Sequence, residues 1–169
     1  MRQKRGDSLK PINFILLMIL VIILGFGAYC YLGSALQPTV TCVSAAASDY
    51  PDAFDSICSV IERGSAPQTF SEDIPDDAAN YSLLDISVTL RNRGVFDAEW
   101  LNITLEGIPG DIAVYSLTGN GTDIAARSTG QINLKLITCA DVNATRSLSI
   151  QYYVYGISRT VMVKIKAQT

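Results

Sequence analysis

The sequence predicts a mainly β protein: an N-terminal transmembrane helix followed by one antiparallel Ig-like β-sandwich. Three observations carry this. Residues Ile12 to Leu32 hold no charged side chain and follow a basic segment; beyond residue 82 apolar residues recur at every second position; and the alternating runs are separated by Gly, Pro and Asn turns without helical patterns between them. The expected organisation is a cytoplasmic basic tail over 1–11, a transmembrane helix over 12–33, a membrane-proximal region over 34–82 and the sandwich over 83–169. A short strand at 39–43 can join that sandwich.

The apolar run is long enough at helical rise to span about 30 Å, the thickness of a bilayer core. Arg2, Lys4, Arg5 and Lys10 precede it, and the next base is Arg63. The positive-inside rule therefore places the N-terminus in the cytoplasm and the rest outside the cell membrane. A cleavable signal peptide has a shorter apolar core, roughly 7–15 residues, so an uncleaved single-pass anchor is expected. Cleavage at Gly33-Ser34-Ala35 or Ala45-Ala46-Ala47 is the alternative, and it would release a secreted domain. Pro11 suits the first turn of a helix, where its missing N–H costs nothing.

Between anchor and sandwich, Thr39 to Val43 is β-prone. Asp52 is expected to cap a helix in which Phe54, Ile57, Cys58 and Ile61 recur at three- and four-residue spacing before Gly64 ends it. Ser65 to Ala79, interrupted by Pro67 and Pro75, reads as a loop. Strand alternation then begins. Leu84, Ile86, Val88 and Leu90 share one face; Asn92-Arg93-Gly94 turns the chain; Leu101, Ile103 and Leu105 point opposite to Trp100, Asn102 and Thr104. Ile112 to Leu117 and Gln131 to Thr138 follow, the second with Ile132, Leu134 and Leu136 on one face. Ser147 to Tyr155 and Ser158 to Lys166 flank Gly156, with Leu148, Ile150, Tyr152 and Val154 aligned against Val161, Val163 and Ile165. About seven short strands at this spacing suit a sandwich.

The stretch from Asp85 to Leu105, with Asn92, Gly94 and Ala98 after an apolar strand and Gly130 ahead of a later one, resembles the CARDB-type Ig-like modules of bacterial and archaeal surface proteins. The resemblance covers residues 83–167. It implies a spacer, adhesion or assembly role, and it supplies no catalytic residues.

Composition narrows the function. The chain carries net charge −3, yet the short tail is basic and the part beyond the helix acidic, which argues against nucleic acid or anionic lipid headgroups as partners of the outer part. Histidine is absent, which removes Ser-His and Cys-His nucleophile pairs and the commonest zinc ligand. No enzyme, cofactor or metal site is expected. Acidic runs at Asp49–Asp55 and Glu72–Asp77 lack the spaced ligands of a calcium loop and read as solvated charge.

Outside the cytoplasm thiols oxidise, so a disulfide is expected among Cys42, Cys58 and Cys139, its pairing left open by the sequence. Asn80, Asn102, Asn120 and Asn143 each begin an Asn-x-Ser/Thr glycosylation sequon. Tyr153 and Tyr155, expected to share the strand face opposite Tyr152, and Trp100 are the candidate interaction residues. These features fit a non-enzymatic cell-surface glycoprotein whose partners are other membrane or cell-surface proteins, or a second copy of the chain, as surface module or accessory subunit of an envelope assembly. A stator or pilus-associated protein gripping a surface layer, and a carbohydrate-binding domain, are the alternatives.

Overall fold

Among the described residues, 11–32 and 36–167 of a computed structural model, eight strands build two antiparallel sheets that face one another. The basic segment 1–10 and the cleavage candidate at 33–35 lie outside the described residues. In chain order the elements are α1 (Pro11–Leu32), β1 (Leu36–Ala46), α2 (Pro51–Glu62), β2 (Gln68–Thr69), β3 (Ser82–Asn92), β4 (Glu99–Glu106), β5 (Asp111–Thr118), β6 (Thr129–Thr138), β7 (Arg146–Val154) and β8 (Ile157–Ile165). One sheet runs β1-β3-β6-β5-β2 and the other β4-β7-β8. The sandwich fold class is as the sequence predicts, and α1 is long and apolar enough to cross a membrane.

The strand expected at 39–43 is longer than its β-prone stretch. It pairs with β3 along its whole length, from Leu36 opposite Asn92 to Ala46 opposite Ser82. Strand direction therefore gives the sandwich two ends. At the helix-side end β1 begins, β3 finishes and β7 turns into β8; at the far end residues 47–81 leave β1 and return to β3.

Period-two patterning places the core. Leu84, Ile86, Val88 and Leu90 of β3 and Ile132, Leu134 and Leu136 of β6 meet Leu101, Ile103 and Leu105 of β4 and Leu148, Ile150 and Tyr152 of β7 between the sheets. The five-stranded sheet is also covered on its outer face at the far end. There Phe54 and Ile57 of α2 pack with Ile112, Ala113 and Ile137, with Cys58 and Ile61 beside them. This is the spacing seen in the sequence, and it faces a sheet as an amphipathic helix must. Pro51, rather than a capping Asp52, opens α2; Tyr50 precedes it without a side-chain cap, and Asp52 sits in the first turn, where the helix dipole favours a carboxylate. Bulges in β5 break its alternation, so Asp111, Ile112, Ala113 and Val114 are all buried.

The loop expected over 65–79 contains a short strand with a specific task. Gln68 pairs through its backbone with Val114 in one sheet, while its side chain donates to the Leu105 carbonyl (2.6 Å) and accepts from the Leu105 N–H (3.1 Å) in the other. Its amide thus stands in for a strand partner. The remaining edge of β4 is covered by the segment after β5: Ala98 and Ile124 exchange hydrogen bonds, Leu101 bonds Gly121 and Thr122, and the Ile103 N–H donates to Asn120 Oδ1. An edge that would otherwise pair with another chain is closed.

At the far end Arg146 of β7 and Asp111 of β5 form an ion pair with both side chains essentially inaccessible to water. Arg146 Nη2 donates to Asp111 Oδ1 at 2.7 Å and Nε donates to Oδ2 at 3.0 Å. Nη1 donates to the Ala144 carbonyl, and Asp111 Oδ2 accepts from the Ile108 N–H. Because removal of one partner strands a buried charge, Asp111→Ala is expected to cost about 3–5 kcal/mol in urea unfolding. Asp85→Ala, which breaks only the exposed 3.5 Å pair with Lys135, should cost about 1 kcal/mol or less. Equal losses for the two variants would refute this assignment of the buried pair.

Candidate functional site

Two surfaces remain after the core is accounted for: the helix-side end and a groove on the outer face of the five-stranded sheet. At the helix-side end a two-residue turn, Tyr155-Gly156, joins β7 to β8, with φ of 50° and 73° respectively. Two successive positive values match a type I′ hairpin turn. Tyr155 is therefore a turn residue and does not share a strand face with Tyr153, which is half-buried on β7 opposite Glu99 and Ser158.

The Tyr155 ring meets Phe96 edge-on, centroids 4.7 Å apart, and Phe96 meets Tyr29 of the last turn of α1 at 5.7 Å. Such edge-to-face pairs are the favoured aromatic geometry. Trp100 stands nearby in the chain at a β4 bulge and is 66% exposed. Trp100 (φ 53°), Arg127 (φ 58°) and Tyr155 are the non-glycine residues with positive φ among those described, and all three occupy this end. Each such backbone costs roughly 1–2 kcal/mol, so the surrounding contacts must impose it.

The polar side chains below supply that constraint. Asn92 is buried at the close of β3; its Nδ2 donates to the carbonyls of Phe96 (2.8 Å) and Ile124 (3.1 Å), and its Oδ1 accepts from the Gly94 N–H (2.9 Å). The Asn-x-Gly sequence thus ties the β3–β4 loop to the segment before β6. Asp97 accepts from the Ala126 N–H and Asp123 from the Trp100 N–H, each at 2.7 Å. Gly130 abuts Ile124, whose side chain would meet a Cβ there at 2.7 Å. Arg91, Arg93 and Arg127 are exposed around this end.

The groove, about 580 Å³, is lined by Thr41, Val43, Tyr50, Leu83, Tyr115 and Lys135 among others. Val43 and Tyr50 are exposed apolar residues on its rim. Burial pushes the Tyr115 hydroxyl above its usual range, and the Asp85 charge adds to the shift.

The expected disulfide is not formed: Cys42, Cys58 and Cys139 are free thiols. Alternation explains part of this. Cys42 points from β1 into the inter-sheet core, whereas Cys58 lies with α2 on the other side of the same sheet. Cys139 is exposed after β6, its thiol against the Gly110 carbonyl. The four sequon asparagines, Asn80, Asn102, Asn120 and Asn143, are all exposed. In the acidic stretches Asp73 accepts from Ser71 and Asp77 from the Ala79 N–H; among the described residues no three Cys, Asp or Glu side chains are grouped as metal ligands. Phe96 and Arg127 were not singled out by periodicity, because both sit in loops.

No protein-family model and no curated protein matches this chain. Among solved structures, the GAE domain of yeast GGA1 is similar at 12% identity and TM-score 0.42, over 51% of this chain and 80% of that one. A FixG-related protein from Vibrio parahaemolyticus is similar at 8% identity and TM-score 0.37, over 79% and 97%. The cupredoxin domain of amoB from Nitrosocaldus yellowstonii is similar at 15% identity and TM-score 0.25, over 52% and 56%. These are distant likenesses of chain path, and the sandwich assignment rests on this chain's own strand pairing.

Burial raises the thiol pKa of Cys42 and Cys58 above the ordinary value, aided at Cys58 by Asp55 and Glu62. Less thiolate is then present near neutral pH, and the rate of alkylation at Cys58 keeps rising with pH beyond the usual thiol range. Maleimide labelling followed by peptide mass analysis should modify Cys139 first, Cys58 slowly and Cys42 only after unfolding. Prompt labelling of Cys42 in the folded protein would contradict its place in the core.

Proposed function

We propose that this protein is a single-pass membrane protein, N-terminus cytoplasmic, whose sandwich stands outside the membrane as a non-enzymatic module for contact with other envelope proteins. The observation that carries the reading is the polarity of the sandwich about its tether. A helix of 22 uncharged residues leads within four residues into β1, while the far end carries eight acids between Asp49 and Asp77 against Arg63 alone. That acidic end, with the apolar groove at Val43 and Tyr50 beside it, suits a partner presenting basic and apolar side chains together. A non-enzymatic role is supported by the absence of histidine and by the use of the buried Arg146–Asp111 pair in joining the sheets. The CARDB-type resemblance over residues 83–167 and glycans on the four exposed sequons are part of the same proposal.

Two measurements test it. In intact cells a membrane-impermeant maleimide is expected to label Cys139, and the protein should stay with membranes after alkaline carbonate extraction; labelling only after lysis would overturn the topology. A photo-crosslinking residue replacing Val43 or Tyr50 should capture a discrete partner in native membranes, whereas the same probe replacing Met162, exposed on β8 of the other sheet, should not. Equal capture at all three positions would remove the groove as the contact surface.

A further inference from the structure

We infer that the helix-side end of the sandwich is a lipid-docking surface that rests on the headgroups of the bilayer holding α1, with its arginines on anionic phosphate. This inference rests on the membrane-anchored reading above.

The tether sets the distance. Leu32 and Leu36 are four Cα–Cα steps apart, at most about 14 Å of extended chain, so this end of the sandwich cannot rise far above the end of α1. Ring contacts set the level. Tyr29 lies in the last turn of an apolar helix, the depth at which Tyr and Trp concentrate in membrane proteins, and the Tyr29–Phe96–Tyr155 series places the β3–β4 loop and the β7–β8 turn at that depth. Exposed Ile157 follows in the same turn, and exposed Trp100 opens β4.

Charge agrees with this placement. The acidity that argues against anionic headgroups for the outer part as a whole is concentrated at the far end; here exposed Arg91, Arg93 and Arg127 stand with Asp97, Asp123 and Glu99, of which the first two accept from backbone N–H groups. An anionic surface repels the far end and leaves this one, where arginines offset the acids, as the end that can approach phosphate. Among the described residues, the three non-glycine positions at positive φ are Trp100, Arg127 and Tyr155, side chains that suit an interface with one apolar and one wet side, and all three lie here.

The chain's single tryptophan makes a direct test practicable. In the full chain reconstituted in phosphatidylcholine–phosphatidylglycerol vesicles, Trp100→Phe combined with Tyr155→Trp places the only indole in the turn. Lipids brominated near the headgroup end of the acyl chains should remove about half or more of its emission. Trp100→Phe with Tyr50→Trp, at the far end, should lose none. Adding Arg93→Glu and Arg127→Glu, or replacing the anionic lipid with phosphatidylcholine, should relieve the quenching. Should Tyr155→Trp fail to fold, Ile157→Trp gives the same reading.

Flotation with the vesicles after carbonate treatment is scored separately. A chain that does not float overturns the anchored reading itself. A chain that floats but is quenched no more at position 155 than at position 50 overturns docking alone. Quenching indifferent to both the arginines and lipid charge overturns the assignment of arginine to phosphate.

Discussion

The buried pair of Arg146 with Asp111 is the contact on which the two-sheet arrangement depends at its far end. Asp111 belongs to the five-stranded sheet and Arg146 to the three-stranded one, so the pair fixes one sheet against the other where hydrophobic packing alone would tolerate a slide. Its surroundings are nearly saturated. Thr138 accepts from Arg146 and from the Ala140 N–H, and donates to the Gly110 carbonyl, which also receives the Cys139 N–H. A buried ion pair adds little net stability over an apolar substitute, because desolvation offsets most of the Coulomb attraction. Its value here is positional: three loop segments can meet at one point only if these atoms keep their places.

The helix-side end is held by a different device. Asn92 uses a neutral amide to gather the carbonyls of Phe96 and Ile124, and Asp97 and Asp123 bind single N–H groups from the surface. Polar anchors thus sit at both ends of the sandwich, with an apolar interior between them. Along the β4 edge, Gln68 and the segment after β5 supply hydrogen bonds that a further strand would otherwise provide. On its β4 side the small sheet is thus closed by side chains and loops.

These devices give the two ends opposite chemistry. One end has aromatic rings in contact with the helix and exposed arginines; the other has the acidic 47–81 segment and, near it, a groove with an apolar rim. In the anchored arrangement proposed above, reversing the domain would bring acid toward headgroup phosphate and leave the aromatic end in water.

Much of the fold was legible because it is written in local periodicity. Alternation marked the core faces of β3, β4, β6, β7 and β8, the 54–57–58–61 spacing marked the packed face of α2, and the uncharged run marked α1; each depends on which way successive side chains point, a property of neighbours in the chain. Sequence could not show that Gln68 would complete β4, that Asp111 would find Arg146, that Cys42 and Cys58 would be divided by a sheet, or that Tyr155 would occupy a turn beside Phe96. Those facts depend on partners distant in the chain, chosen by packing and by the demand that every buried polar group be paired. The sequence by itself determined the elements and their buried faces, while the tertiary structure decided which ends meet and therefore where aromatic, basic and acidic side chains collect.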